Sequence, residues 1–481
     1  MASLNFRSLG LLLLVALVVL IILAVSNANA AQDGDDQGTG PIYLFQPPPV
    51  DPNACVVSTI NPINTIFESD ANTDPVSYYW DGGVQLLGNN EGKIVAVGRE
   101  HVTRLNVDGT RDLTFGINGW TSISDTNGFI IGSNALAIDS QDRIYVASRS
   151  QQFPQNTAIS RLLPDGTMDS SFSGDGVATF DNVLINGSSR GAYDVTIGPN
   201  GEIFGLQFDG YIFKMLDDGT LDTSFGMNGT GIVQINWARG ASNSTFCYQM
   251  DIYQNYIYVG CYNQDDSIGA VRYSLDGIKD NSYGGGFDPY YTVQDNVSGC
   301  NDGGFKAYGC GVGPDGSFYM SGWVTDNKLT QCGDYAVFVA KFGPDGQRDT
   351  SFGNRNGVFI DRRDVNYNRS EDYAESYHQI SFDQCTGNLL LPATMYTGDG
   401  PNASTDFGFV IQLTPQGIPI SNSTDQFVQN ASENYFWSGV THPNGRYYVL
   451  GEYENNQSDF VAKIWDYQAP GYSYAKQMRP W

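Results

Sequence analysis

Apolar and polar residues alternate along most of this chain in short runs, and the runs return in a fixed order. One run, bounded by turn residues, reads Gly92-Lys-Ile-Val-Ala-Val-Gly98, Asp142-Arg-Ile-Tyr-Val-Ala147, Gly201-Glu-Ile-Phe-Gly205 and Asn255-Tyr-Ile-Tyr-Val-Gly260. It returns as Gly316-Ser-Phe-Tyr-Met-Ser-Gly322, Gly387-Asn-Leu-Leu-Leu391 and Gly445-Arg-Tyr-Tyr-Val-Leu-Gly451. β-Branched and aromatic residues set between turn formers predict strands, and long amphipathic helical stretches are missing. Seven such runs predict seven units.

Between these runs lies a second repeat. Asp108-Gly-Thr-Arg-Asp112-Leu-Thr-Phe115 is followed by Asp165-Gly-Thr-Met-Asp169-Ser-Ser-Phe172 and Asp218-Gly-Thr-Leu-Asp222-Thr-Ser-Phe225. Asp276-Gly-Ile-Lys-Asp280-Asn-Ser-Tyr283 and Asp345-Gly-Gln-Arg-Asp349-Thr-Ser-Phe352 complete five copies, and a worn sixth stands at Gln416-Gly417, with Ile420 in place of the second Asp. Glycines 109, 166, 219, 277, 346 and 417 are 57, 53, 58, 69 and 71 residues apart, which suits a four-stranded sheet per unit. Asp-Gly supplies a hairpin turn because Gly accepts positive φ and the Asp carboxylate can bond nearby N–H groups. The closing Phe or Tyr recurs where an apolar ring would wedge between neighbouring sheets.

The Asp-Gly-x-x-Asp-x-Ser/Thr-Phe turn, preceded by an Arg-Leu or Lys-Phe strand, resembles the delta-60 repeat of β-propeller proteins. The likeness covers residues 85–360 well and decays towards 467. It implies an all-β fold, a seven-bladed β-propeller of four-stranded antiparallel blades, and it carries no catalytic residue. Strand-like residues 55–67 precede the first full unit, and the last unit stops after its third strand near Tyr467. Val56–Phe67 pairing beside Phe460–Ile464 would therefore seal the ring with its own N- and C-terminal strands.

The N-terminus changes the picture of where this fold works. Arg7 precedes an apolar run from Leu9 to Val25, and Ala28-Asn29-Ala30 comes after it, the pattern of a signal peptide over residues 1–30. A signal anchor is the alternative, and would tether the chain at a cell surface. Residues 31–54 read as an acidic, Pro-rich linker, 55–467 as the propeller and 468–481 as a polar, aromatic tail. Net charge is −27, which argues against nucleic acid and anionic lipid as partners. Sequons occur at Asn186, Asn228, Asn243, Asn296, Asn368, Asn402, Asn422, Asn430 and Asn456, as expected of a glycosylated exported protein. Of the seven cysteines, Cys247 and Cys261 flank a hairpin and Cys300 and Cys310 flank a Gly-Gly turn, so each pair is a disulfide candidate.

Chemistry is sparse. The motif residues Asp112, Asp169, Asp222, Asp280 and Asp349 read as turn caps rather than a metal ring, and neither metal nor cofactor is implied. Gly187-Ser-Ser189-Arg-Gly191 matches a nucleophile elbow in letters but lacks the strand-to-helix setting that makes one. The densest acid–base set is Glu371, Asp372, Glu375 and His378, which as a cluster would suit glycan hydrolysis and as separate side chains are ordinary loop charges. The expectation is a secreted, non-enzymatic binding or scaffold protein whose partner is an extracellular protein or a glycan. A secreted carbohydrate-active hydrolase or lyase, and a structural cell-coat or matrix component, are the alternatives.

Overall fold

In a computed structural model the chain divides into two compact units, Met1–Pro47 and Pro48–Trp481, and every described residue belongs to the second. The described residues are 64–68, 86–88, 93–98, 101–106, 110–123, 131–149, 157–180, 191–236, 245–263, 267–285, 290–291, 305–325, 335–361, 373–375, 380–383, 386–396, 407–420, 434–441, 447–454 and 460–467. The signal segment, the linker and the tail lie outside them. Among the described residues no helix is long and apolar enough to cross a membrane.

These residues form seven four-stranded antiparallel sheets. Sheet 1 holds Leu86–Gly88, Ile94–Gly98, His101–Leu105 and Trp120–Ser122; sheet 2 holds Ile131–Ile138, Ile144–Arg149, Thr157–Leu162 and Val177–Phe180. Sheet 3 holds Ala192–Ile197, Ile203–Gln207, Tyr211–Met215 and Ile232–Gln234; sheet 4 holds Thr245–Tyr253, Tyr256–Asn263, Ile268–Ser274 and Tyr290–Tyr291. Sheet 5 holds Phe305–Val312, Phe318–Thr325, Tyr335–Phe342 and Val358–Ile360. In sheets 1 to 5 the strands follow one another in sequence order, and in sheets 2 to 5 the first strands of successive sheets lie against each other.

The last two sheets depart from that plan. In sheet 6 Tyr373–Glu375 and Ser381–Phe382 both pair with Leu389–Tyr396, which also pairs with Phe407–Leu413. The expected single first strand is thus broken, and the described residues include no strand after the worn turn and before sheet 7. Ile420 still donates its N–H to the Gln412 carbonyl (3.1 Å), but its side chain offers no carboxylate to cap the next N–H groups. Sheet 7 holds Asn434–Thr441, Tyr447–Glu454 and Phe460–Tyr467, and its outer partner is Asn64–Glu68 from the other end of the chain. Thr65 stands opposite Trp465 and Phe67 opposite Ile464; residues 56–63 lie outside the described set.

The repeated turn explains how neighbouring sheets are joined. In each of the five full copies the second Asp accepts from the N–H two residues on, as from Ser171 to Asp169 Oδ1 (3.0 Å) and from Ser282 to Asp280 Oδ1 (2.9 Å). A third-strand cation binds the other carboxylate oxygen: Arg104 with Asp112, Arg161 with Asp169, Lys214 with Asp222, Arg272 with Asp280 and Lys341 with Asp349. The motif's ring is buried at all five places, Phe115, Phe172, Phe225, Tyr283 and Phe352. The residue after it reaches the next sheet's turn: Gly116 N–H donates to Asp165 C=O (2.7 Å), Ser173 to Asp218 (2.8 Å), Gly226 to Asp276 (2.8 Å), Gly284 to Asp345 (2.8 Å) and Gly353 to Gln416 (2.9 Å). The turn glycine of the following sheet then lies on the preceding ring. A Cβ on Gly277 (φ 79°) would meet the Phe225 ring at 2.9 Å, and one on Gly346 (φ 78°) the Tyr283 ring at 2.8 Å. Both the dihedral angle and the contact exclude a side chain there.

Candidate functional site

At one end of the first strands of sheets 3, 4 and 5 the pairing slips by one residue. The slip falls on Tyr193, between Ala192 and Asp194, on Tyr248, between Cys247 and Gln249, and on Tyr308, between Ala307 and Gly309. Such a bulge leaves one residue unpaired and re-aims its side chain. The three half-buried tyrosines meet edge to face, Tyr193 with Tyr248 at 5.3 Å and Tyr248 with Tyr308 at 4.6 Å between ring centroids. Phe208, Phe246 and Tyr262 back them at 5.0–6.1 Å, and Lys306 Nζ sits 4.9 Å from the centre of the Tyr262 ring. Burial, then the neighbouring phenols of Tyr262, Tyr308 and Tyr193, pushes the Tyr248 phenol up, so it stays a neutral hydroxyl. Sheet 7 carries the same slip, with Trp437 at that register position. Aromatic faces with neutral hydroxyls and one ammonium suit a ligand that is part apolar and part hydrogen-bonding, such as a sugar ring.

The same strands carry a second device. Asp194 Oδ2 accepts from Met250 N–H on the next sheet (2.8 Å), while its Oδ1 accepts from Val195 N–H (2.9 Å). Gln249 Oε1 accepts from Cys310 N–H (3.1 Å), and Asp251 Oδ2 from Val312 N–H (2.8 Å). Side-chain acceptors thus satisfy backbone donors on the first strand of the next sheet. Desolvation lifts the Asp194 carboxyl to about 8 and the Asp251 carboxyl to about 6, despite the N–H donors that favour their charge. A carboxyl whose folded pKa lies above its unfolded one stabilises the fold fully below about pH 4, and loses that contribution as pH rises through the folded value. For Asp194 that window ends near 8. The Asp194→Asn variant should therefore lose less stability than the parent between about pH 5 and 9 by denaturant titration; equal losses would contradict the assignment.

Cys247 and Cys261 face each other across the first two strands of sheet 4 and form a disulfide, with Cα atoms 4.3 Å apart. The expected Cys300–Cys310 bond is absent: Cys310 is a free, buried thiol on the first strand of sheet 5, turned towards Gly260 of sheet 4. Burial, with the Asp251 and Asp194 carboxylates nearby, pushes that thiol well up and keeps it protonated and inert. Cys300 lies outside the described residues.

The acid–base set is not assembled among the described residues. Glu375 occupies a short strand opposite Thr394, while Glu371, Asp372 and His378 lie outside, as does most of the Gly187–Gly191 segment. Of the sequons only Asn228 is described, and it is exposed; Asn186, Asn243, Asn296, Asn368, Asn402, Asn422, Asn430 and Asn456 lie outside. Among the described residues no group of three His, Cys, Asp or Glu side chains is placed to hold a metal ion. The tyrosine ladder was missed in the sequence, although Ala192-Tyr-Asp194, Cys247-Tyr-Gln249 and Ala307-Tyr-Gly309 repeat at one place in three successive units. Alternation alone does not reveal a bulge, because the inserted residue breaks the period that is being read.

A family model described as a domain of unknown function (DUF5122) beta-propeller matches residues 141–172, the second and third strands of sheet 2 and the Asp-Gly turn that follows the third. The fold is a β-propeller. No curated protein matches the chain. Solved structures similar to it include a chain of the mitotic checkpoint complex, at 8% identity and TM-score 0.40 over 91% of this chain and 98% of that one. The Dos1 propeller is 8% identical, TM-score 0.45, over 84% of this chain and 95% of that one. A glucose dehydrogenase is 9% identical, TM-score 0.36, over 85% of this chain and all of that one.

Proposed function

We propose that this propeller is a secreted, glycosylated, non-enzymatic binding protein that holds a carbohydrate against the tyrosine ladder of sheets 3 to 5. In this reading residues 1–30 are removed on export, seven blades form the ring, and Asn64–Glu68 on Phe460–Tyr467 closes it. The observation that carries the reading is the run Tyr193, Tyr248 and Tyr308, one ring per blade, each aimed by its own bulge at the same end of an inner strand. A purely structural plug needs apolar bulk alone, whereas all three positions keep a phenol hydroxyl, and the Lys306 ammonium lies over the Tyr262 ring that backs them. The −27 net charge favours a neutral or cationic saccharide over a sulfated one.

Screening the secreted protein on a glycan array and titrating the best ligand by calorimetry tests this. Tyr248→Ala and Tyr308→Ala should each weaken binding by at least about tenfold, the effect of one anchoring aromatic. Absence of any bound glycan, or full affinity in both variants, would sink the proposal.

A further inference from the structure

We infer that the disulfide between Cys247 and Cys261 is a positioning element of the tyrosine ladder, fixing the Tyr248 ring where a saccharide meets it. This deepens the carbohydrate reading and rests on it for the ligand alone. Residues 249–253 pair in unbroken register with residues 256–260 on the two sides of the hairpin turn, so strand pairing already holds that part of sheet 4. At Tyr248 the pairing slips, and the next aligned residues are Cys247 and Cys261. A bulge bends its strand and disrupts the hydrogen bonding around it. The covalent bond thus stands at the step where pairing is weakest, beside the residue that the bulge re-aims.

What the bond holds follows from its neighbours. Phe246 and Tyr248 flank Cys247, and Tyr262 follows Cys261. The Tyr262 ring lies 5.2 Å from that of Phe246, its partner across the strands, and 6.1 Å from that of Tyr248. Cys247 also grips sheet 3. Its N–H donates to Phe208 C=O (3.0 Å), and a Cβ on Gly210 would lie 3.7 Å from its Sγ. The Phe208 ring in turn sits 5.0 Å from both Phe246 and Tyr248 and 5.1 Å from Tyr193. Cys247 therefore ties the strand that bears Tyr248 both to its own hairpin partner and to the sheet that bears Tyr193. Sheets 3 and 5 make the same slip with Ala192 opposite Gln207 and Ala307 opposite Gly322 at the matching place. The bond falls on the middle strand, whose Tyr248 meets both outer tyrosines. A ring fixed before the ligand arrives is spared the entropy of ordering on binding, so a bond that never touches the saccharide raises affinity for it. Both cysteines are buried, which shields the bond from exchange with dissolved thiols and makes it a standing brace.

The test uses the full secreted chain in two forms without the bond, Cys247→Ala with Cys261→Ala and Cys247→Val with Cys261→Val. The valines restore apolar bulk, so a change shared by both forms reports the lost bond rather than a cavity. In chains labelled with 3-fluorotyrosine, the fluorine signal of Tyr248, assigned by its loss in Tyr248→Phe, should move towards its unfolded-chain position in both forms. The signal of Tyr145, buried in sheet 2, should stay. Affinity for the best glycan of the array should fall at least about tenfold in both forms, the effect of loosening one anchoring aromatic. Phe115→Ala, which empties a buried site beneath the turn of sheet 2, should lower stability and keep that affinity. An unmoved Tyr248 signal, full affinity in both forms, an equal loss in Phe115→Ala, or failure of both forms to fold would each refute the inference. A parent chain that binds no glycan would end the carbohydrate reading, and the Tyr248 signal would still decide whether the bond sets the ring.

Discussion

Replacing Arg161 by Ala is expected to destabilise the fold by about 3–5 kcal/mol, the cost of leaving a buried charge without its partner. Arg161 is 1% exposed, and each of its nitrogens is engaged. Nε donates to Asp169 Oδ2 (2.7 Å), Nη1 to the carbonyl (2.6 Å) and carboxylate (2.8 Å) of Asp217 on the next sheet, and Nη2 to the Ser171 hydroxyl (2.9 Å). The guanidinium also lies over the Phe172 ring, 4.6 Å from its centre. One side chain therefore joins its own turn to that of the following sheet. Without it Asp169 keeps a carboxylate among few remaining donors.

The acid limb gives an independent reading. Burial opposes ionisation of Asp169, but the Ser171 hydroxyl and N–H and the Arg161 charge outweigh it and hold the carboxyl below its usual range. A depressed folded pKa means stability that is present above about pH 4 and is lost as pH falls through the folded value. The Arg161→Ala variant should therefore lose less on acidification than the parent, and the two denaturation midpoints should converge at low pH. Arg161→Met with Asp169→Leu should recover part of the loss, because apolar residues avoid desolvating a charge. A single-variant loss under about 1 kcal/mol would show that the pair sits in solvent rather than in the seam.

Phe225→Ala is expected to cost about 3–5 kcal/mol, the range for emptying a buried aromatic site. The ring is 1% exposed, meets Phe204 edge to face at 5.8 Å, and is covered by Gly277 of the next turn. Collapse into the gap is restrained, since Gly226 and Asp276 already hold the two turns together through a 2.8 Å backbone hydrogen bond. The cavity should therefore persist and carry its full penalty. Chemical denaturation measures the effect. A loss under about 1 kcal/mol would remove the motif's ring from the seam between sheets.

Much of this fold was legible because its determinants are local. Alternating Val, Ile, Tyr and Phe between turn residues specify strands, and Asp-Gly specifies the hairpin that joins the third to the fourth, whatever surrounds them. The period of the turn glycines marked the unit, and Phe225 and its counterparts are buried as the repeat implied. Cys247 and Cys261 were legible for the same reason, since a hairpin brings its flanks into register. In sheet 6, where the repeat is worn, the expected four strands in sequence order give way to a first strand broken into Tyr373–Glu375 and Ser381–Phe382.

Only the tertiary structure decided the rest, because it depends on partners distant in sequence. That Arg104, Arg161, Arg272 and Lys341 reach carbonyls of the next turn, 56 to 74 residues on, follows from how sheets stack and not from spacing within a unit. That Cys310 is a buried free thiol is decided by its strand, which sets it against Gly260 of the neighbouring sheet. The tyrosine ladder exists because bulges on three separate strands aim rings towards one another across 55 and 60 residues of chain. The aromatic residues are plain in the sequence. Their convergence is a property of neighbouring sheets, whose contacts join positions that no single repeat contains.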